Sequence, residues 1–92
     1  MIKTFSHKGL EDFFYGGTKK GIRVNHAKKL ADILDRLDAA EDIRDMKFPG
    51  SDLHQLKEKM KSLWAVKVSG NWRVVFRFEE GNAYDVNYMD YH

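Results

Sequence analysis

Apolar positions recur at two different periods along this chain, and the change of period divides it. Over residues 24–37, Val24, Ala27, Leu30, Ala31, Leu34 and Leu37 fall three or four apart or adjacent, opposite Lys28, Lys29, Asp32, Asp35 and Arg36. That spacing predicts an amphipathic helix with one buried stripe. Asn25 is the expected N-cap, since its side chain accepts from a free backbone N–H of the first turn. Upstream, residues 2–5 read as a short strand. Ser6 is placed to cap a first helix carrying Leu10, Phe13 and Phe14, and Gly16-Gly17 is its stop. Residues 40–46 form a further short turn that adds Ile43 and Met46 to the core, and Phe48-Pro49-Gly50 breaks it.

After Pro49 the period becomes two. Trp64, Val66 and Val68 alternate with Ala65, Lys67 and Ser69. Trp72, Val74, Phe76 and Phe78 alternate with Arg73, Val75 and Arg77. Tyr84, Val86 and Tyr88 alternate with Asp85, Asn87 and Met89. Gly70-Asn71 and Glu80-Gly81-Asn82 supply residues that tolerate tight reversals. Residues 53–56 are a candidate extra strand. The expected fold class is α+β: N-terminal helices packed on one face of a twisted antiparallel sheet. With no repeat, linker or low-complexity stretch, residues 1–92 read as a single domain.

Composition narrows the class. A hydrophobic fraction of 42% with 13% aromatic residues supports a real core, and 33% charged residues fits a soluble globular protein. A chain this short buries only about 60–65% of its unfolded surface, so its stability is modest. Without cysteine there is neither a disulfide nor a thiolate metal site. No apolar run is long enough to span a bilayer, and the opening residues lack the apolar core of a signal peptide, so a cytoplasmic protein with no membrane partner is the expectation.

The net charge of +2 conceals an asymmetry. Residues 57–77 hold six cations (Lys57, Lys59, Lys61, Lys67, Arg73, Arg77) against Glu58, while residues 32–45 hold six acids against Arg36 and Arg44. The basic half suits a polyanion; a merely solvated sheet face is the competing reading. The glycine-bounded basic stretch at residues 18–23 carries the same pair of readings.

The polar sheet face collects the groups that could do chemistry. Alternation places Arg73 and Arg77 opposite Trp72 and Phe76. Asp90 shares the parity of Tyr84, Val86 and Tyr88, so a bend near the chain end is needed to bring out Asp90, Tyr91 and His92 together. Metal-free cleavage of RNA requires a base for the 2′-hydroxyl proton, cations for the phosphorane charge and an acid for the leaving 5′-oxygen. His54 and His92 are the natural proton handlers, because imidazole exchanges protons near neutrality. An ordinary lysine amine is neutral in only roughly one molecule in a few thousand at pH 7. Lys57 is therefore assigned to charge stabilisation first and base catalysis second. Arg73 offers a planar fork that donates two hydrogen bonds to one phosphate. Tyr91 could stack on a base or orient the phosphate. Asn71 either contacts RNA or is only a turn residue. His7 and His26 show no partner pattern and are read as bystanders. The four histidines lack metal-ligand spacing, so neither a metal nor a cofactor is expected.

These residues form an ordered set: Met1-Ile2-Lys3-x-Phe5, His54-x-x-Lys57, Trp64-x-Val66-x-Val68, Asn71-Trp72-Arg73-Val74-x-Phe76, Gly81-x-Ala83-Tyr84 and Asp90-Tyr91-His92. The set resembles the HigB (host inhibition of growth) toxins of the RelE-like toxin–antitoxin superfamily. The resemblance implies a microbial-RNase-like fold and an mRNA endoribonuclease (mRNA interferase) acting in the ribosomal A site through 2′-hydroxyl attack to a cyclic phosphate. It also implies neutralisation by a HigA-like helix-turn-helix antitoxin. Residue by residue, His54, Lys57, Arg73, Asp90, Tyr91 and His92 match active-site positions, and Asn71 matches a contact position. Lys59, Lys61, Lys67 and Arg77 are further candidates for RNA contact. In one departure, Glu58-Lys59-Met60-Lys61-Ser62-Leu63 stands where family members often carry a glycine-containing loop. A non-catalytic module that binds RNA or a partner through the basic face is the alternative reading.

Overall fold

In the computed structural model, which describes residues 1–56 and 63–91, two helices pack on one face of a four-stranded antiparallel sheet. Helix α1 spans Lys8–Gly16 and α2 spans Ala27–Ala39. Strands β1 (His54–Gln55), β2 (Leu63–Ser69), β3 (Trp72–Glu79) and β4 (Asn82–Asp90) lie in sequence order across the sheet. The α+β expectation and the helix-then-sheet order are both met.

The stripe on α2 is Ala27, Leu30, Ile33, Leu34 and Leu37, all buried. It packs with Val66, Val74, Phe76 and Val86, each without exposed surface. Burying one such aliphatic side chain contributes about 1.5–3 kcal/mol, so this layer dominates the stability. Two expectations for the start of α2 are corrected. A 3-10 turn at Val24–His26 precedes the helix, so Asn25 is not its cap. The same turn throws Val24 out to 71% exposure, and Ile33, one position from the expected stripe, takes a core place instead.

Helix α1 is capped by His7 rather than Ser6: the His7 Nδ1 accepts the Leu10 N–H at 2.9 Å. It stops as expected, with Gly17 at φ 78° donating its N–H to the Phe13 carbonyl. Gly9 on α1 meets Gly21 backbone to backbone; a Cβ on Gly21 would stand 2.4 Å from the Gly9 Cα. The opening segment lies parallel to β4, with bridges Ile2–Ala83 and Phe5–Val86, and so covers an otherwise open sheet edge. Ile43 and Met46 sit on a 3-10 turn, with Met46 fully buried and Ile43 packed on the core.

Strict alternation holds along β3 but breaks in β4. The β3–β4 register shifts between Val75 and Arg77, where Asp85 adopts φ 54°. One extra residue in a bulge reverses the parity of everything before it. Ala83 therefore turns into the core with no exposed surface, and Tyr84 turns to the Arg77 side, contrary to the alternation expected from the sequence. Among the described residues, no helix is long and apolar enough to cross a membrane.

Candidate active site

The sheet face away from the helices carries the candidate chemistry, and the register arranges it in rows. His54, Ala65, Val75 and Asn87 form one cross-strand row. Lys67, Arg73 and Met89 form the next. Leu63, Arg77 and Tyr84 lie beyond the first row on the other side. Ala65 and Val75 are small and buried, at 0% and 6% exposure, and make a floor between the charged rows. The β1 and β3 backbones are two strand spacings apart, which with a two-residue offset puts the His54 and Arg73 Cα atoms about 12 Å from each other. Long side chains on one face bridge such a gap around one nucleotide.

Lys67 and Arg73 are direct cross-strand partners. Two like charges placed opposite each other destabilise a sheet, so the pair costs stability in the absence of an anion. The Arg73 Nη1 donates to the carbonyls of Gly70 at 2.7 Å and Trp72 at 3.1 Å, which anchors the guanidinium beside the hairpin. Its Nε is buried and has no hydrogen-bond partner among the described residues. A buried guanidinium N–H without an acceptor is costly, and an anionic oxygen is an acceptor of matching chemistry.

His54 is half-buried at the β1 edge, with Nδ1 3.2 Å from the carbonyl oxygen of Asp52. A carbonyl only accepts, so this contact places the neutral ring's proton on Nδ1 and leaves the Nε2 lone pair available. Segment 51–56 is fixed by the Lys67 N–H donating to the Ser51 carbonyl, and by the Leu56 N–H donating to that of Leu63.

The chain end docks on the β2–β3 hairpin: the Tyr91 N–H donates to the Asn71 carbonyl at 2.8 Å. Tyr91 is 43% exposed. Asp90 pairs with Trp72 and is exposed at the strand end, on the parity of Tyr88. Arg77 is held differently from Arg73. Its guanidinium bonds Glu79 at 2.7 Å, approaches Asp85 at 3.5 Å and stacks 4.5 Å over the Tyr84 ring. The structure thus brings His54, Lys67, Arg73 and Arg77 to one face, and joins Asn71 to Tyr91 at its end. Lys57, Lys59, Lys61 and His92 lie outside the described residues, as does most of the Glu58-to-Leu63 loop.

Two histidines read as bystanders have partners. Besides His7 at the α1 cap, His26 is 5% exposed and its Nδ1 bonds the Tyr88 hydroxyl at 2.5 Å. Burial, helped by the nearby Arg23 charge, holds the His26 pKa below its ordinary value, and burial pushes the Tyr88 phenol up. No local spacing announces this pair, which is joined across 62 positions of the chain. Tyr84 was also missed as a member of the outer face, and Asp85, a residue type tolerant of positive φ, was the available signal.

Away from these rows, an open cavity of about 510 Å³ is lined by Glu41, Asp42, Ile43, Gln55, Trp64, Phe78, Glu80 and Gly81. Trp64 and Phe78 belong to the helix-facing side, so this cavity is separate from the basic face. Among the described residues, no group of three or more His, Asp or Glu side chains comes together as a metal site would require.

Comparison with known proteins fits this geometry. The family model described as "RelE-like toxin of type II toxin-antitoxin system HigB" matches residues 3–92. The protein named endoribonuclease HigB from Proteus vulgaris is 38% identical over 92 residues, covering the whole of both chains. An uncharacterised protein from Haemophilus influenzae is 30% identical over 79 residues, 85% of this chain and 77% of the other. In fold, the chain is similar to one in the YoeB-YefM complex from Staphylococcus aureus, with a TM-score of 0.59 at 18% identity, over 97% of this chain and 95% of that one. With the family match running across both the helical layer and the basic sheet face, this chain belongs to the HigB family of RelE-like toxins of type II toxin–antitoxin systems, whose members are partnered by an antitoxin.

Proposed function

We propose that residues 1–92 act as one toxin domain, a metal-independent endoribonuclease that cuts mRNA in the A site of the bacterial ribosome. The observation that carries this reading is Arg73: a guanidinium set against the like charge of Lys67, with a buried Nε that no described group satisfies. A scissile phosphate supplies the missing acceptor and relieves the repulsion together. The name of the Proteus vulgaris relative, endoribonuclease, supports the same reaction here.

In the proposed reaction the 2′-oxygen of the ribose attacks the adjacent phosphorus, and the 5′-oxygen leaves. The products are a 2′,3′-cyclic phosphate and a 5′-hydroxyl end. His54 and His92 are the proton-handling pair, one taking the 2′-hydroxyl proton and the other supplying a proton to the leaving oxygen. The His54 Nε2 lone pair supports a place for His54 in this exchange. Arg73 grips the phosphate, and Lys57 adds charge where the phosphorane forms. Asp90 and Tyr91 orient the substrate from the chain end, and Asn71 contacts the RNA. Lys59, Lys61, Lys67 and Arg77 extend the polyanion-binding face. In Arg77 the guanidinium already shares two carboxylates, so its contribution is smaller than that of Lys67. A HigA-like antitoxin with a helix-turn-helix domain neutralises the toxin in the cytoplasm, where ribosomes are.

The test is cleavage of ribosome-bound mRNA. Arg73→Ala is expected to slow it by about 10²–10³-fold, the usual consequence of removing one electrostatic stabiliser. Cutting at the wild-type rate would remove Arg73 from the site. A protein that only bound RNA would cut nothing, and its association would weaken steeply with salt.

A further inference from the structure

Behind the candidate site, on the helix side of the sheet, four aromatic rings and a cation meet. Trp72 and Tyr88 lie with ring centroids 4.8 Å apart. The His26 ring stands edge-on to both, at 5.5 Å from Trp72 and 5.9 Å from Tyr88. His7 approaches Tyr88 at 5.5 Å, and the Arg23 guanidinium lies 5.5 Å over Trp72. At the centre, the Tyr88 hydroxyl bonds the His26 Nδ1, with both side chains at least 95% buried.

The chain positions of Trp72 and Tyr88 give this cluster its meaning. Trp72 stands between Asn71 and Arg73, and is the cross-strand partner of Asp90. Tyr88 is two residues before Asp90 and three before Tyr91. Asn71, Arg73, Asp90 and Tyr91 are thus each within three positions of a ring in the cluster. Tyr91 is outside β4 and is tied to Asn71 by one backbone hydrogen bond, and Arg73 is anchored through the Gly70 and Trp72 carbonyls. If Trp72 and Tyr88 tilt, the hairpin and the chain end tilt with them.

We infer that His26 and Tyr88 are positioning residues: their buried hydrogen bond locks Trp72 and the end of β4 from behind, and so fixes Asn71, Arg73 and Tyr91 relative to the RNA. The inference rests on the nuclease reading for its effect on cleavage, but the locking itself does not depend on that reading. The direction of the bond sets the variants. The inference assigns the neutral His26 ring the tautomer with its proton on Nε2, so that the Tyr88 hydroxyl donates to Nδ1. Tyr88→Phe removes the donor and strands a buried acceptor. His26→Leu removes the acceptor. His26→Asn keeps an acceptor at the Nδ1 position, because the amide oxygen is the same number of bonds from the backbone.

Two measurements on the intact protein decide the matter. The first is amide hydrogen exchange. Tyr88→Phe should speed exchange of the Tyr91 amide by at least about 5-fold, the factor expected for one lost hydrogen bond, with hydrogen-bonded amides far from the cluster, such as those of Lys3 and Leu56, unchanged. An unaltered Tyr91 rate, or equal acceleration of every amide, overturns the inference, the latter by marking the pair as general packing. The second is single-turnover cleavage of ribosome-bound mRNA. Tyr88→Phe and His26→Leu should lower the maximal rate on the order of 10-fold, less than a full 1 Å misplacement would, without raising the half-saturating concentration. His26→Asn should recover to within about twofold of wild type. An Asn substitution as slow as the Leu substitution overturns it. If wild type cuts no ribosome-bound mRNA while the Tyr91 amide responds as expected, the nuclease assignment fails and the lock stands.

Discussion

On the helix side of the sheet, Val66, Val74, Phe76 and Val86 are fully buried in one apolar cluster. On the opposite side, the residues between them in sequence are Lys67, Arg73, Val75 and Arg77, and only the small floor of Ala65 and Val75 is buried. One set of strands thus carries two faces made by different rules. The covered face is consistent at every level, from alternation to packing, and holds the fold together. The outer face breaks rules that a structural sheet obeys: like charges stand opposite each other at Lys67 and Arg73, and a buried guanidinium N–H is left unpaired among the described residues. Such violations persist where function requires them.

If stability and chemistry are divided between the faces, neighbouring positions on β3 must respond in opposite ways. Phe76→Ala removes the largest fully buried side chain and leaves a cavity, and should cost about 3–5 kcal/mol in urea-induced unfolding. Arg73→Ala, three residues earlier on the other face, should cost only about 1–2 kcal/mol, for the two carbonyl contacts it loses, yet nearly abolish cleavage. Equal losses of stability at the two positions would erase the division.

A smaller effect is expected where the faces exchange residues. Asp85 at φ 54° makes the bulge that sends Ala83 inward and Tyr84 outward. Alanine in that backbone region costs about 1–2 kcal/mol, because its Cβ crowds the following carbonyl. Asp85→Ala should therefore lower stability by about 1 kcal/mol beyond Asp85→Gly, which accepts the conformation freely. The Asp85 side-chain contacts to Thr4 and Arg77 are both long, at 3.5 Å, and their loss is common to the two variants. Thermal melts of the pair measure the difference; identical melting points would mean the bulge carries no strain.

Legibility in the sequence followed the same division. Period-two alternation in β2 and β3 located the covered face and the outward Lys67, Arg73 and Arg77, because side-chain direction in a regular strand is fixed by count alone. Counting failed at Tyr84, where the bulge adds a residue, and at Val24, where a 3-10 turn replaces the expected first turn of α2. Both failures are changes of backbone geometry that hydropathy does not encode. At the candidate site, residue types and their ordered spacing nominated His54, Arg73, Asn71 and Tyr91, since the chemistry of a side chain is legible one residue at a time. The His26–Tyr88 bond was not legible. It exists only because α2 and β4 pack face to face, and nothing around either residue marks the other.

That bond also distinguishes the two faces by pH. Burial and the charge of Arg23 hold the folded-state pKa of His26 below that of the unfolded chain, near 6.5 for a free imidazole. Above that value His26 is neutral in both states and contributes no pH dependence. As pH falls through it, the unfolded chain takes a proton that the folded protein refuses, so stability declines until the lower folded pKa is reached. His26→Asn has no such proton to exchange. The stability advantage of wild type over His26→Asn, measured by urea unfolding from pH 7.5 to about 5, should therefore be greatest at the upper end and shrink steadily below about 6.5. Carboxylates and the other histidines are the same in both proteins, so their titrations drop out of the difference. A wild-type advantage that grew on acidification would mean that His26 is better accommodated charged than neutral, and the helix-side cluster would then be a cation site and not a neutral hydrogen-bonded lock.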